Sequence, residues 1–339
     1  MHGTVKLLPV GFLFSWLILS LGGCGCGFDC NNGNNNDQPT AFSLGLSDSV
    51  PEELKQVVIE VDSITFVRNG ADDVVVDRFT IEQLDLVDVD SFQIDLLDYR
   101  GVNQLVVIDS LDLDRATYRE ILISVLDGDI NRSFAQEADD SLKQINVPAA
   151  GLSLPAVEVT GNEQQFTVEF GLAQSLQFQA SDDSYLLTTD GIRLEDNAIA
   201  ATLSGRVDTT LFDSEAPCDE KEDPEVGNRI YIYQGIDLGE RQLSDVFTSN
   251  SSATIPAGAL APFAVATLTE NSLSGIWEYS FGYLPAGDYT IAFACDTEED
   301  DPVDFDDLVV PQPENQVYEL TLDEEERAVC DLDEEADCQ

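Results

Sequence analysis

The sequence predicts an all-β protein, in which two antiparallel β-sandwich domains follow an N-terminal leader and a flexible tether. Two observations carry this prediction. Short runs of alternating apolar and polar residues recur from residue 41 to residue 322, and this period is typical of half-buried strands. Turn-forming pairs such as Asn69-Gly70 separate the runs, as expected between the strands of a hairpin. A hydrophobic content of 43% is enough to build cores of this kind.

Residues 41–197 are predicted to form the first domain. Its predicted strands share the alternating pattern and lie at Phe42–Leu46, Val57–Phe66, Val74–Val76, Phe92–Leu97, Leu105–Ile108, Tyr118–Leu126, Gln165–Phe170 and Tyr185–Leu194. Two segments predict helix, a single turn at Pro51–Gln56 and a short crossover helix at Gly171–Phe178. We therefore expect mainly antiparallel sheets that pack as a sandwich or a partial barrel.

Residues 198–325 are predicted to form the second domain. Its predicted strands lie at Ala201–Val207, Arg229–Tyr233, Trp277–Phe281, Thr290–Ala294 and Val317–Leu322. The turn Leu284-Pro285-Ala286-Gly287-Asp288-Tyr289 resembles that of transthyretin-like and carboxypeptidase-regulatory-like sandwiches. That resemblance implies a β-sandwich of a kind that serves as a spacer or binding support. Residues 326–339 are expected to be an acidic tail that contains two cysteines.

The N-terminus predicts an exported, lipid-anchored protein. The apolar run that begins at Leu7 holds about fifteen residues, fewer than the roughly twenty needed to cross a bilayer, so residues 1–23 indicate a signal peptide. Its end, Leu21-Gly22-Gly23-Cys24, resembles the lipobox of bacterial lipoproteins, which implies cleavage before Cys24 and acylation of its sulfur. The alternative is an ordinary secretory signal, in which Cys24 is a plain thiol.

Residues 24–40 predict a tether, because their asparagine- and glycine-rich sequence offers little apolar surface. A lipid anchor at Cys24 would hold the folded part close to the membrane. Gly25 follows the cysteine, where the resemblance associates aspartate with retention in the inner membrane. We therefore expect an outer-membrane location, with the domains on the periplasmic or the surface face.

Composition excludes several classes of function. The formal net charge of −51 would repel a nucleic-acid backbone, so we expect no nucleic-acid partner. The only histidine is His2, inside the predicted signal peptide, so the mature chain has no imidazole for Ser-His-Asp or Cys-His catalysis or for zinc ligation. Catalysis by carboxylates remains, as does a serine paired with Lys55, Lys143 or Lys221.

The six cysteines other than Cys24 predict structural disulfides, in keeping with export to an oxidising compartment. We favour a bond between Cys218 and Cys295, because one follows the first strand of the second domain and the other ends a later strand of that domain. Two local bonds are also expected. They are Cys330 with Cys338 and, less favoured, Cys26 with Cys30.

Acidic loops are the candidate metal sites. The segment Asp127–Asn131 begins like an EF-hand loop, but Arg132 and Ala138 stand where glycine and glutamate are required, so a hairpin turn at Asp127-Gly128 is the better interpretation. A denser acidic cluster follows Cys295. Its candidate calcium ligands are Asp296, Asp300, Asp301, Asp304, Asp306 and Asp307. The alternative is an ordinary solvated acidic loop, in which case no cofactor is needed.

A set of motifs in the first domain resembles a family of bacterial lipoproteins that carry domain of unknown function 4382. In chain order the motifs are L-x-L-S-D near Asp48, V-x-I-E-V-D-S-I-T-F at Val57–Phe66, D-L-L at Asp95–Leu97, R-A-T-Y-R-E-I-L-I at Arg115–Ile123 and Y-L-L-T-T-D-G-I-R-L at Tyr185–Leu194. The sequence departs from the family pattern at Ala116, where glycine is usual. The resemblance covers residues 41–197 and implies an exported β-domain, without assigning an activity or catalytic residues.

Aromatic residues on two predicted strands offer one further binding hypothesis. Trp277 and Tyr279 alternate on one strand and Tyr231 and Tyr233 on another, so they could form a stacking platform for a sugar or peptide. The favoured interpretation is that they are half buried in the sandwich.

Together these observations favour a non-catalytic binding or scaffold module of the cell envelope. We expect a membrane partner through the lipid anchor and an unknown protein or glycan ligand. The alternative is a carboxylate-based hydrolase that acts on envelope polysaccharide.

Overall fold

The structure is a computed structural model that describes residues 38–49, 54–213, 218, 221, 223–298, 300–333 and 337–338. These residues fold almost entirely into β-strands, and residues 37–339 cluster as one compact unit. The described part of the chain contains no helix with the length and apolarity that crossing a bilayer requires.

The first sandwich is built from strands between residues 40 and 196. They are β1 (Thr40–Ser49), β2 (Leu54–Arg68), β3 (Val74–Val76), β4 (Phe79–Ile81), β5 (Leu86–Val89), β6 (Phe92–Asp95), β7 (Leu105–Leu113), β8 (Thr117–Val125), β9 (Phe134–Glu137), β10 (Leu142–Asn146), β11 (Leu152–Leu154), β12 (Val157–Glu158), β13 (Glu163–Gly171), β14 (Leu176–Gln179), β15 (Ser184–Leu187) and β16 (Ile192–Asp196). Helix α1 (Leu172–Ser175) is one turn long, and two 3-10 turns lie at Glu82–Leu84 and Leu96–Asp98.

Two sheets of the first sandwich enclose its core. One has the strand order β16-β13-β1-β7, and the other has the order β11-β8-β2-β9-β10-β15-β14, with β3, β6 and β12 paired at its side. Alternation along β1 sends Phe42, Leu44 and Leu46 into this core, where each is fully buried. Burying side chains of this size contributes about 1.5 to 3 kcal/mol each, so the core supplies much of the drive to fold.

The second sandwich begins at Ala201, a few residues after the first one ends. Its strands are β17 (Ala201–Arg206), β18 (Arg229–Gln234), β19 (Ala264–Thr267), β20 (Thr269–Asn271), β21 (Ile276–Leu284), β22 (Gly287–Ala294), β23 (Val317–Leu322), β24 (Arg327–Asp331) and β25 (Asp337–Cys338). Further 3-10 turns lie at Thr209–Leu211 and Glu240–Gln242. The two sheets have the orders β20-β21-β17-β24-β25 and β19-β18-β22-β23, with a second hydrophobic core between them.

Strand β18 is buried on both of its faces. Ile230 and Ile232 point into the second core, whereas Tyr231 and Tyr233 point the other way into a smaller cluster with Leu243 and Val310. The long connections that carry those residues cover this face of the sheet, so the alternation of β18 does not mark a solvent-exposed side.

The outer face of β16-β13-β1-β7 is polar and packs against the second sandwich. Ser47, Glu169 and Arg193 lie side by side across β1, β13 and β16 on this face. The guanidinium carbon of Arg193 sits 4.8 Å from the ring centre of Phe263, in the second sandwich. Glu169 is 1% exposed, so a row of polar residues is buried in the joint between the sandwiches.

Several local expectations differ from the structure. Leu54–Gln56 belongs to strand β2, so this part of the predicted turn at Pro51–Gln56 is extended, and residues 51–53 lie outside the described residues. The crossover helix is only the single turn α1, after which Leu176–Gln179 returns to strand. The run Tyr185–Leu194 divides into β15 and β16, which lie in different sheets.

The Asp127-Gly128 segment is not a hairpin turn. Strands β8 and β9, on either side of it, both run antiparallel to the long strand β2 and pair with successive parts of it. The chain therefore leaves the sheet after Val125 and rejoins it at Phe134 in the same direction. A turn-forming pair permits a reversal but does not require one, because the partner strand decides the path.

The sheets are also less uniformly antiparallel than expected. Strand β1 pairs parallel with β13, β10 with β15, and β17 with β24. The last of these pairs brings Arg327–Asp331, in the segment predicted to be a tail, into a sheet of the second sandwich. Each parallel pair joins segments that are far apart in sequence, so no local turn motif predicts the pairing.

Candidate functional site

The candidate site lies on the outer face of the sheet β20-β21-β17-β24-β25. Alternation along β17 turns Ser204 and Arg206 outward while Leu203 points into the core. Across the antiparallel pairing with β21, Ser204 lies opposite Ser280, and Arg206 lies opposite Glu278. This pattern gives the sheet a continuous polar surface.

A loop of the first sandwich forms one wall above this surface. Gly101, with a φ of 62°, lies so close to β21 that a Cβ at Gly282 would overlap the carbonyl oxygen of Gly101. One residue further along both the strand and the loop, the hydroxyl of Tyr283 donates a 2.9 Å hydrogen bond to the carbonyl oxygen of Val102. The loop is therefore fixed against the second sandwich by direct backbone contact.

The sheet face and the loop enclose a cleft of about 440 Å³. Polar side chains line most of it. They are Asp48, Arg100, Ser204, Arg206, Thr267, Thr269, Asn271, Glu278, Ser280 and Asp331. A volume in this range suits a small polar ligand or part of a longer one.

The loop that carries Arg100 is held by backbone pairing to the end of β1. Asp48 N–H donates to the carbonyl oxygen of Tyr99 at 2.8 Å, and Gly101 N–H donates to the carbonyl oxygen of Asp48 at 3.4 Å. The side chain of Asp48 is fully buried beside them. The position of Arg100 in the cleft is therefore set by the edge of the first sandwich.

Most basic side chains among the described residues form ion pairs with carboxylates. They are Lys55, Arg68, Arg78, Arg119, Arg132, Lys143, Arg193, Lys221 and Arg229. This is expected in a chain with 66 acidic and 15 basic residues.

The two arginines of the cleft differ from that pattern. Within the described part of the chain, neither the Arg100 nor the Arg206 guanidinium forms an ion pair with a carboxylate. The Nε of Arg100 is buried and has no hydrogen-bond partner among the described residues. A buried donor without a partner costs about 1 to 3 kcal/mol, so the described residues leave this guanidinium incompletely satisfied.

Two carboxylates of the cleft are already engaged by other groups. One oxygen of Asp331 accepts a 2.9 Å hydrogen bond from the backbone N–H of Arg206. One oxygen of Glu278 accepts a 3.3 Å bond from the side-chain amide of Asn271. Both carboxylates keep further acceptor capacity toward the cleft.

The three lysines that could have activated a serine all form ion pairs with carboxylates outside the cleft. Lys55 pairs with Asp140 at 2.6 Å, Lys143 pairs with Asp183 at 2.5 Å, and Lys221 pairs with Glu298. The hydrogen bond to Asp183 raises the pKa of Lys143, which favours the protonated, non-nucleophilic form of that amine. The arrangement offers no support for a Ser-Lys mechanism.

The structure contains both of the disulfides that the sequence analysis favoured. Cys218 is bonded to Cys295 with a Cα–Cα distance of 5.3 Å, and Cys330 is bonded to Cys338. Both bonds lie in the second sandwich, where Cys218, Cys295 and Cys330 are buried in its core. Cys24, Cys26 and Cys30 lie outside the described residues.

The acidic segment after Cys295 is organised around buried aspartates. Asp300 accepts hydrogen bonds of 2.6 Å from both Arg229 and the hydroxyl of Tyr231, and its second oxygen accepts from the N–H of Val246. Burial raises the pKa of Asp300 to about 6, although the positive charge of Arg229 opposes that rise. Asp300 therefore ties this loop to strand β18.

Asp245 has the corresponding role on the opposite loop. One of its oxygens accepts from the N–H groups of Asp306 and Leu308, at 2.9 and 3.0 Å. Burial raises the pKa of Asp245. Together with Asp300, it holds the acidic segment against the connection that follows β18.

The remaining candidate calcium ligands do not converge on one point. Asp301 accepts from the N–H groups of Val303 and Asp304, Asp306 accepts from the N–H of Asp301, and Asp304 accepts from Ser252. Asp296 and Asp307 are exposed. Within the described residues, no three acidic, cysteine or histidine side chains are grouped to hold a metal ion.

The four aromatic residues do not form a stacking platform. Tyr231 and Tyr233 are buried beneath the loops over β18, and Tyr279 is buried in the second core, where its hydroxyl donates to the carbonyl oxygen of Cys330 at 2.8 Å. Trp277 is half-buried and packs edge-on against Phe212. The strands place these rings on different faces, which the alternation within each strand could not indicate.

Sequence reasoning missed Arg100 and Arg206 as site residues. The pattern Ala-Thr-Leu-Ser-Gly-Arg-Val does place Arg206 on the polar face of its strand. No sequence signal, however, connects that face with Arg100, because the contact depends on how the two sandwiches pack.

The fold and the cleft define an all-β protein of two packed sandwiches with a polar, arginine-containing cleft at their junction. Residues 40–189 match the model of the family described as "Domain of unknown function (DUF4382)", which confirms the resemblance found in the motifs of the first domain. No curated protein matches the chain.

Solved structures were compared as well. A "putative cell adhesion protein" from Bacteroides fragilis NCTC 9343 is 10% identical, with 89% of this chain and 96% of that chain covered and a TM-score of 0.21. A leucine-rich repeat protein from Bacteroides thetaiotaomicron VPI-5482 is 10% identical, with 88% and 26% covered and a TM-score of 0.16. A "putative adhesin" from Bacteroides ovatus ATCC 8483 is 7% identical, with 90% and 88% covered and a TM-score of 0.17.

Proposed function

We propose that this protein is a non-catalytic binding module of the bacterial cell envelope, which holds a polar ligand in the cleft between its two sandwiches. One observation carries the proposal. Arg100 and Arg206 face the same cleft without ion-pair partners among the described residues, although the chain has far more acidic than basic side chains. Unpaired cations at a concave polar surface are suited to contact a ligand.

The available chemistry supports binding better than catalysis. The mature chain has no histidine if the leader is removed, and each of its lysines is paired with a carboxylate. The cleft presents hydroxyl, amide, guanidinium and carboxylate groups, which recognise polar ligands through hydrogen bonds. Equilibrium binding without turnover is therefore the expected behaviour.

The proposal places the protein at the outer membrane through acyl chains on Cys24. Each buried methylene contributes about 0.8 kcal/mol, so the two or three chains of a lipoprotein give stable attachment where a single chain does not. Because Thr40 belongs to β1, the tether would be residues 25–39, which would span about 21 Å and keep the cleft near the membrane.

The anchor can be tested by fractionating cells that express the full chain or its Cys24→Ser variant. We expect the original protein in the outer-membrane fraction and the variant in the soluble fraction. Cys26→Ser is the matched control and should stay with the membrane. A Cys24→Ser variant that remains in the membrane fraction would refute the anchor.

Binding can be tested by titrating the full-length protein, in detergent, with a panel of envelope and host glycans. We expect saturable binding that is lost in Ser204→Trp, since an indole at this outward position fills the cleft. Leu273→Trp is the matched control, because Leu273 is 97% exposed and does not line the cleft. Binding that Ser204→Trp leaves unchanged would contradict the assignment of the site.

A second candidate function is a hydrolase that acts on envelope polysaccharide. The observation that favours it is the presence of Glu278, Asp331 and Asp48 in one cleft, since glycosidases use pairs of carboxyl groups. The same glycan panel can be assayed for new reducing ends. Turnover that Glu278→Gln abolishes would establish the hydrolase and overturn the binding module.

A further inference from the structure

We propose that the ligand of the cleft is an acidic saccharide, whose carboxylate or sulfate group is bound by Arg100 and Arg206. This inference rests on the proposed binding function and adds the chemical class of the ligand. It concerns the same cleft between the loop that carries Arg100 and the outer face of β17, β21 and β24.

Neither guanidinium group of the cleft has a counter-ion among the described residues. Arg206 is exposed on β17, and Arg100 lines the opposite wall of the cleft. A planar guanidinium binds carboxylate or sulfate oxygens through parallel N–H groups, so an anionic ligand group would supply the counter-charge that the described residues do not.

Three acidic residues line the same cleft, Asp48, Glu278 and Asp331, and in the described part of the chain none of them forms an ion pair with Arg100 or Arg206. Asp331 accepts a hydrogen bond from the backbone N–H of Arg206, and Glu278 accepts one from the side-chain amide of Asn271. Arg206 and Glu278 lie opposite each other on adjacent strands, yet they form no ion pair. Although the protein is strongly acidic, both arginines therefore remain without ion pairs to the described carboxylates.

The rest of the lining offers both donors and acceptors. Ser204, Ser280, Thr267 and Asn271 can both donate and accept hydrogen bonds, while the three carboxylates only accept when ionised. A ligand that carries hydrogen-bond donors as well as its anionic group therefore suits this surface. An acidic saccharide has that combination, because its hydroxyl groups lie beside its carboxylate or sulfate.

The net charge of the protein favours an acidic saccharide over a polyanion with closely spaced charges. The chain has a net charge of −51, which repels a nucleic acid whose phosphates are closely spaced. A saccharide with one charge per sugar or per disaccharide needs only contact with the two guanidinium groups. The short screening length in physiological salt confines the repulsion from distant carboxylates.

The test uses full-length protein in detergent and isothermal titration with matched saccharides. The probes are an oligogalacturonate, its methyl ester as the uncharged counterpart, and a carrageenan oligosaccharide, whose only anionic groups are sulfates. The first two differ by the charge and one small methyl group on each carboxyl, and the third distinguishes sulfate from carboxylate as the recognised group. We expect the charged forms to bind at least about tenfold more tightly than the ester.

Variants assign that preference to the two arginines. Arg206→Ala and Arg100→Ala should each reduce affinity for the charged probe by about tenfold and leave binding of the ester nearly unchanged. Arg206→Lys should restore part of the loss, because it keeps the charge without the planar fork. Arg241→Ala is the matched control, since Arg241 has no ion-pair partner among the described residues and lies outside the cleft.

The outcomes separate this inference from the proposed function. Equal binding of acid and ester that Ser204→Trp abolishes would overturn the anion site and leave the binding function in place. Binding of the charged probe that survives both arginine-to-alanine changes would also overturn the anion site. If no saccharide binds, the inference and the assignment of the cleft as a glycan site fail together.

Discussion

The hydroxyl of Tyr283 reaches the carbonyl oxygen of Val102 at 2.9 Å, across 181 positions of sequence. This bond joins the second sandwich to the loop of the first that carries Arg100. The wall of the cleft therefore depends on the joint between the sandwiches, and the stability of the joint can be probed apart from ligand binding.

Gly282→Ala should destabilise the protein. A Cβ at this position overlaps the carbonyl oxygen of Gly101, so strand and loop must separate. We expect a loss of about 1 to 3 kcal/mol in the free energy of unfolding, measured by chemical denaturation. Gly239→Ala is the control, because its Cβ would lie 3.6 Å from its nearest neighbour, and it should change stability by less than about 0.5 kcal/mol. Equal stability of both variants would contradict the close contact.

Glu169 should make the stability of the joint depend on pH. Burial raises its pKa to about 7, against the opposing effect of Arg193, while Glu195 adds to the rise and Ser47 opposes it. A carboxyl group whose pKa is higher when folded than when unfolded stabilises the fold at low pH. That contribution is lost as pH rises from about 4.5 through 7.

The comparison of the original protein with Glu169→Gln isolates this effect. Relative to the variant, the free energy of unfolding of the original protein should fall by about 3 kcal/mol between pH 4 and pH 8. Tyr283 also faces this carboxyl, but its burial raises its own pKa above the ordinary phenol value and so out of this range. A difference between the two proteins that stays constant with pH would show that Glu169 does not titrate in this window.

Asp300→Ala should be among the most destabilising single changes in the second sandwich. It removes the carboxylate that lies 2.6 Å from the Arg229 guanidinium, whose side chain is 9% exposed, and it removes the partner of the Tyr231 hydroxyl. We expect a loss of about 3 to 5 kcal/mol in the free energy of unfolding.

The matched control for Asp300→Ala is Asp140→Ala, which removes an exposed partner of Lys55. Exposed ion pairs contribute about 0 to 1 kcal/mol, so this change should have little effect. Both proteins can be compared in one denaturation series. Similar losses for the two variants would mean that the Asp300 network is not a buried one.

Removing the bond between Cys218 and Cys295 should cost more stability than removing the bond between Cys330 and Cys338. The first closes a loop with a sequence separation of 77, and the second one of 8. By loop-closure entropy the expected losses are about 4 and about 2 to 3 kcal/mol, respectively. Paired cysteine-to-serine variants, compared by thermal unfolding, measure the difference. A larger loss for the short loop would contradict the entropic explanation.

Much of the local structure could be predicted from the sequence because strand patterns are local. The alternation of Phe42, Leu44 and Leu46 predicted both a strand and its buried face, and the structure confirms each. Cys218 could be paired with Cys295 from the order of the strands, and Cys330 with Cys338 from their closeness in sequence. The Asp127-Gly128 turn could not be predicted, since its direction depends on β2, a partner strand more than fifty positions earlier.

The roles of charged residues depended on tertiary contacts. Asp300 stood in the sequence as one of several acidic residues in a candidate metal loop, and the structure places it against Arg229 inside the protein. Tyr231 and Tyr233 were expected to be half buried in the sandwich, with a stacking platform as the alternative, and loops from elsewhere in the chain bury them completely. When loops cover the outer face of a strand, the sequence of that strand contains no periodic pattern that reveals the covering layer.

The sequence by itself determined the β class, because period-two alternation follows from strand geometry. It also excluded imidazole chemistry in the two sandwiches, because the single histidine of the chain is His2. Only the tertiary structure decided that Arg100 and Arg206 face one cleft. Their meeting requires the polar outer sheet of one sandwich to pack beside a loop of the other, and such packing is set by the complementarity of whole surfaces rather than by any local run of residues.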